Sequence, residues 1–168
     1  LDPLWAVRSH RERKYGRWDR DELLNTGLDD VYKLIFQMDR LMFPRGRRAV
    51  LDFGCGVGRL AQPFLRYFER YCGVDISERM LSHVKDLPCR AECNFILSDG
   101  EGLPFVRNRS FDLVYSNWVL QHMPHQLIRF QIREFLRVLR DDGLLVFQLP
   151  SYIPLVHRLQ IRRRLYRS

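Results

Sequence analysis

The residues best suited to chemistry gather where an apolar run gives way to glycines: Val50-Leu51-Asp52-Phe53-Gly54-Cys55-Gly56-Val57-Gly58-Arg59. Glycine has no Cβ, so a segment this rich in it turns tightly and lets backbone approach a ligand closely. Between a strand and a helix, such a turn lies at the carboxyl ends of the strands, where open α/β sheets bind ligands. Spacing separates two kinds of ligand. A dinucleotide turn needs Gly-x-Gly-x-x-Gly, but counted from Gly54 its last position is Arg59, and the glycines run Gly54-x-Gly56-x-Gly58 instead. Asp52 argues the same way: a carboxylate at the mouth of a pyrophosphate cradle repels phosphates, whereas it attracts a ligand bearing an ammonium and a sulfonium.

S-adenosylmethionine carries both cations, and further strand tips suit its nucleoside. Gly73-Val74-Asp75-Ile76-Ser77 sets an acid twenty-three positions after Asp52, able to accept from both ribose hydroxyls or, equally, to cap the next helix. Leu97-Ser98-Asp99-Gly100 adds an acid suited to an adenine amino group, followed by the apolar turn Leu103-Pro104-Phe105. Phe111 to Asn117 ends in polar residues beside the same crevice. His122 is the candidate general base, an imidazole being able to take or give a proton, with ordering a loop or capping the helix near Pro124 as its structural alternative. Asp19, Asp21 and Glu22 are weaker candidates for that role.

These tips need a sheet to hold them. Short runs rich in Val, Leu, Ile and Phe predict strands over Ala49–Phe53, Tyr71–Asp75, Asn94–Ser98, Phe111–Ser116 and Leu144–Leu149. Helical periodicity predicts Asp29–Met42, Leu60–Phe68, Glu78–Lys85 with Ser77 as N-cap, and Gln126–Arg140. In the last, Leu127, Ile128, Phe130, Ile132, Phe135, Leu136 and Leu139 are expected to form the apolar face, opposite Arg129, Arg133, Arg137 and Arg140. Pro44-Arg45-Gly46 breaks the first helix before the first strand. The alternation predicts an α/β fold: a Rossmann-like open, mostly parallel sheet with helices on both faces.

At 168 residues and 46% hydrophobic content, the chain is long enough for a single domain. We expect a helical cap over 1–48, an α/β core over 49–150 and a basic C-terminal helix over 151–168. The sheet reads as truncated after its fifth strand, which leaves Leu144–Leu149 as an edge that another subunit pairs with, as in a homo-oligomer, or that the basic helix covers. No apolar run reaches the length of a membrane span, and the charged start is unlike a signal peptide. A soluble cytoplasmic protein is the expectation. Cys55, Cys72, Cys89 and Cys93 lack the paired spacing of a zinc site, read as reduced thiols and predict no metal. The net charge of +8 is concentrated in Arg8 to Arg20, Arg45 to Arg48 and Arg158 to Arg167, and is read as solvated surface or as a polyanion-binding patch.

Taken as an ordered set from Val50 to Pro150, these segments resemble class I S-adenosylmethionine-dependent methyltransferases, in the generic small-molecule group. Val119-Leu120-Gln121-His122-Met123-Pro124 and Arg137-Val138-Leu139-Arg140 with the following Gly143-Leu144 match that group too, although Asp141-Asp142 stands where members often have Pro-Gly. The resemblance implies that Gly54, Gly56 and Gly58 line the methionine part and that Asp52 acts on the cofactor's amino group, directly or through water. It implies that Asp75 binds ribose, that Ile76 packs on adenine, that Asp99, followed by Gly100, takes the adenine amine, and that Asn117 lies near the methionine end. S-adenosylhomocysteine would be the product.

A small-molecule acceptor is expected. Enzymes that methylate exocyclic amines of bases carry an Asn/Asp-Pro-Pro-aromatic turn where this chain has Asn117-Trp118-Val119, and Pro88-Cys89 lies in the wrong loop for attack on cytosine carbon. Nucleic acid is therefore not favoured. A non-catalytic cofactor-binding or scaffold domain is the main alternative, and a nicotinamide-dependent oxidoreductase a remoter one.

Overall fold

The computed structural model describes residues 20–87 and 92–149. The expected N-terminal cap before Arg20, the Cys89 loop and the basic C-terminal helix lie outside them. A long helix α1 (Arg20–Leu41) leads into β1 (Ala49–Phe53), then α2 (Ala61–Phe64), β2 (Arg70–Asp75), α3 (Glu78–Leu81) and β3 (Cys93–Leu97). After a loop come β4 (Phe111–Ser116), α4 (His125–Val138) and β5 (Leu139–Phe147). The five strands run in the order β3-β2-β1-β4-β5, and every pairing is parallel. The expected open Rossmann-like sheet is present.

Alternate residues of β1 send their side chains to opposite faces, and both faces are covered. Val50 joins Tyr71, Leu113 and Tyr115 under Val31, Ile35 and Met38 of α1 and Phe64 of α2. Leu51 and Phe53 join Val74 and Val114 under Phe135 and Val138 of α4. β1 is consequently buried along its whole length, which is why it reads as a continuous apolar run interrupted by the single Asp52.

Several boundaries differ from expectation, each for a local reason. α1 is already helical at Arg20 rather than Asp29. A Cβ on Gly27 would sit 2.5 Å from the Arg59 carbonyl oxygen, so the glycine is the contact that lets the helix lie on the glycine turn. α2 is shorter than Leu60–Phe68, because Arg66 N and Tyr67 N bond carbonyls three residues back, Pro63 O and Phe64 O, and so tighten the chain after Phe64. Ser77 does cap α3, accepting from Met80 N at 3.2 Å, but the helix tightens into a 3-10 turn over Ser82–Asp86. Four of the seven residues expected on the apolar face of α4 pack otherwise: Leu127, Phe130 and Leu136 are exposed, and Leu139 belongs to β5. The buried residues of α4 are Ile128, Gln131, Phe135 and Val138.

β5 starts five residues earlier than Leu144 and stops at Phe147. Phe111 pairs with Leu139 but Leu113 with Leu144, so Asp141-Asp142-Gly143 forms a bulge inside the strand instead of a turn before it. Asp112 holds this irregular junction. One oxygen accepts from Arg48 N at 2.9 Å and Ala49 N at 2.8 Å, and the other accepts from Arg140 Nη1 at 2.7 Å. A buried carboxylate at the foot of β4 thus joins the starts of β1 and β5.

Replacing Asp112 by alanine strands the buried Ala49 N–H, the part-buried Arg48 N–H and a half-buried guanidinium. We expect Asp112→Ala to lower the unfolding free energy by about 3 kcal/mol, read from the urea midpoint.

Candidate active site

The turn after β1 is built from backbone that side chains would disrupt. Gly54, Gly56 and Gly58 all have positive φ, at 81°, 55° and 75°. Space is also short: a Cβ on Gly54 would overlap Val119, and one on Gly58 would lie 2.6 Å from Leu87. Gly54 N and Cys55 N both donate to Val74 O, at 2.7 and 3.1 Å, which sews the turn to the end of β2.

Asp75 continues that seam. One of its oxygens accepts from Gly56 N at 2.8 Å and the other from Ser77 N at 2.9 Å. Two backbone donors thus fix the carboxylate at the strand tip, and each oxygen keeps a further lone pair. The structural and ligand readings of Asp75 therefore coexist on one group.

Asp52 is a different case. It is only 3% exposed, and its one hydrogen-bonding partner among the described residues is Tyr71, whose hydroxyl donates at 2.7 Å. Burial pushes its carboxyl up to about 6, against the lowering effects of the Tyr71 bond and the nearby Arg59 charge. Burial likewise raises the Tyr71 hydroxyl well above its ordinary value, and the Asp52 charge adds to it.

A cavity of about 560 Å³ opens over these strand tips, a size typical of cofactor sites. Asp52, Gly54, Gly56, Asp75, Ile76, Asp99, Gly100, Asn117 and His122 all line it. Gly58 does not, because its side faces Leu87 and Phe95; it shapes the turn from behind. Ile76 is 69% exposed at the rim, an apolar surface that the protein itself leaves uncovered. Asp99 is exposed, with one oxygen accepting from Glu101 N at 2.9 Å. His122 sits on a short 3-10 turn, its Nε2 at 3.2 Å from the Gln121 amide nitrogen. Asp19 lies outside the described residues, and Glu22 does not line the cavity.

Arg137, expected on the solvent side of α4, instead clamps the loop that carries Asp99 and Gly100. It donates to Leu103 O at 2.8 Å, Val106 O at 2.9 Å and Asn108 Oδ1 at 2.6 Å, and is paired with Glu134. Glu134 in turn accepts from Leu103 N at 3.1 Å, and Arg137 holds its carboxyl below the usual range.

Sequence reasoning passed over Arg59, Tyr71 and Tyr115 as site residues. Tyr71 was readable only as strand. Given the pairing of Asp52 with Gly73, however, Tyr71 falls two residues before Gly73 and so on the face of Asp52. Trp118, which also lines the cavity, adopts φ 63°, a left-handed conformation that is rare for a bulky residue and is found where binding sites hold strain.

Residues 51–147 match the pattern of a methyltransferase domain, and the chain belongs to that family, with the class I S-adenosylmethionine-dependent fold. An uncharacterised protein of Methanocaldococcus jannaschii is 34% identical over 148 residues, covering 85% of this chain and 55% of that one. The malonyl-[acyl-carrier protein] O-methyltransferase of Salmonella typhimurium is 31% identical over 107 residues, covering 64% of this chain and 41% of the enzyme. A crystal structure of an S-adenosylmethionine-dependent methyltransferase from Mesorhizobium loti is 25% identical, with TM-score 0.55, over 61% of this chain and 46% of that one. The chain spans about half the length of these relatives. The cofactor of the family is S-adenosylmethionine, and the residues here fit it. A dry carboxylate suits its cations, a fixed strand-tip carboxylate suits a ribose, and an uncovered isoleucine suits a base.

Because the native pKa of Asp52 lies above its ordinary value of 3.8, ionisation opposes folding, and the penalty builds from about pH 4 to about pH 6 and is complete above that. Asp52→Asn is expected to stabilise the ligand-free protein at pH 8 by about 3 kcal/mol more than at pH 4, as measured by urea unfolding at both pH values.

Proposed function

We propose that this chain binds S-adenosylmethionine in the cavity over the strand tips and supports methyl transfer to a small-molecule acceptor. The observation that carries the reading is the pair of carboxylates at neighbouring strand tips. Asp75 is fixed by Gly56 N and Ser77 N, while Asp52 is buried beside it with a single partner among the described residues. Asp52 would hold the amino group, directly or through water, where Gly54 and Gly56 let backbone come close. Asp75 would accept from the ribose hydroxyls, Ile76 would pack on the base, and Asp99 beside Gly100 would accept from the base amine. Asn117 stands toward the amino-acid end.

When bound, the cofactor supplies an activated methyl group for in-line displacement. The protein's share is alignment and exclusion of water. Trp118, Met123, Pro124 and Leu127 give the cavity an apolar wall next to His122, which suits an acceptor with an apolar or aromatic body. His122 would take a proton where the acceptor must lose one. The two buried thiols Cys55 and Cys72 agree with the reducing, cytoplasmic setting expected for such an enzyme. Among the described residues, no helix is long and apolar enough to cross a membrane.

A second reading is a cofactor-binding domain that does not turn over by itself. The outer side of β5 has no strand partner among the described residues, and we propose that another subunit or another part of the chain pairs with it. A monodisperse monomer in light scattering whose β5 amides resist hydrogen exchange would exclude pairing with a subunit.

The primary test is isothermal titration with S-adenosylhomocysteine. Binding in the micromolar range is expected, weakened roughly 30-fold or more in Asp75→Ala. Binding of a nicotinamide dinucleotide in its place would overturn the reading. An acceptor screen with labelled methyl donor then separates the two versions. In the catalytic one, Trp118→Ala raises the acceptor KM about tenfold while leaving cofactor affinity within about twofold.

A further inference from the structure

Among the described residues lining the cavity, four are acids (Asp52, Asp75, Asp99 and Glu101), and Arg59 is the one lysine or arginine. Arg59 follows the glycine turn, and its side chain is 8% exposed. Nη1 donates to Asp30 Oδ2 at 2.7 Å and to Thr26 Oγ1 at 3.2 Å, both on α1. Thr26 spends its own proton on Leu23 O at 2.6 Å, so its oxygen is an acceptor for the guanidinium. Nε is buried and has no hydrogen-bonding partner among the described residues. A guanidinium has five N–H donors, and tying off one end by Asp30 leaves capacity for a second anion.

The neighbouring acid does not supply that anion. Asp52 bonds to Tyr71 rather than to Arg59, although the Arg59 charge is close enough to lower the Asp52 pKa. A buried cation and a buried carboxylate thus face the same end of the cavity without neutralising each other in an ion pair. Opposite charges held side by side and kept apart match a zwitterionic α-amino acid, whose ammonium and carboxylate are separated by one carbon.

We propose that Arg59 anchors the carboxylate of the cofactor's amino-acid end while Asp52 takes its ammonium, and that Asp30 is a positioning residue holding the guanidinium in place. α1 is then part of the cofactor site through the Asp30–Arg59 pair, and not only a cover on the sheet. The inference rests on the methyltransferase reading and extends it to a residue-level charge pattern.

Three ligands of graded structure test it by isothermal titration of the full chain: S-adenosylhomocysteine, its decarboxylated analogue, which keeps the amine, and 5′-methylthioadenosine, which lacks the amino acid altogether. Arg59→Met is expected to weaken S-adenosylhomocysteine on the order of 30-fold and to leave the other two within about threefold. Retained 5′-methylthioadenosine binding then reports a folded nucleoside site. Asp30→Asn is expected to give the same selective loss at roughly five- to tenfold, and it serves alone if Arg59→Met does not fold. Equal weakening of all three ligands in both variants would make Arg59 a structural tie and overturn the inference while leaving the cofactor reading intact. Unchanged S-adenosylhomocysteine affinity in both variants would do the same. Failure of the unsubstituted chain to bind any of the three would overturn both.

Discussion

Parallel pairing of β1 with β2 is the constraint on which the site depends. Strands that run the same way end on the same side, so Asp52 pairs with Gly73 and Asp75 lies just beyond the end of β1. The chain leaving β1 must then turn across the end of β2, and its N–H groups meet Val74 O and the Asp75 carboxylate. Antiparallel pairing would put the two acids at opposite ends of the sheet. Burial of both faces is what makes the parallel arrangement stable, with α1 and α2 on one side and α4 on the other.

The same burial gives the site its electrostatics. Water cannot solvate Asp52, so its charge is held at the expense of stability and is available to a cationic group that enters the cavity. Tyr71 limits that penalty by donating to the carboxylate, and Arg59 limits it through its field. Placing α1 over the glycine turn seals these groups from solvent. Gly27 makes the close approach possible, and Asp30 ties it down with an ion pair.

The far rim is organised differently, by a loop rather than by strands. Arg137 draws together two carbonyls of the β3–β4 loop and the Asn108 side chain, while Glu134 receives a backbone N–H from the same loop. A long connection is thereby pinned to α4, and Asp99 and Gly100 are presented over the cavity. Asp112 and Arg140 do a similar service at the opposite ends of the strands, where β5 bulges.

What the sequence determined by itself was whatever short-range pattern encodes. Apolar runs marked the five strands, the Gly54-Gly56-Gly58 spacing marked the turn, and the acids at positions 52, 75 and 99 marked the tips, because short apolar runs and the glycines and acids that end them are local features of the chain. Helix ends and charged helical residues were less legible. Nothing local marks Gly27 as the place where the Arg59 backbone lies against the helix, and Arg137 reads as surface until the β3–β4 loop folds onto it. Only the tertiary structure decided that Tyr71 bonds Asp52, that Gly58 packs behind the turn, and that Asp30 holds Arg59 at the cavity. These contacts join residues far apart in the chain, and no local period records which distant backbone or charge will come to rest beside a side chain.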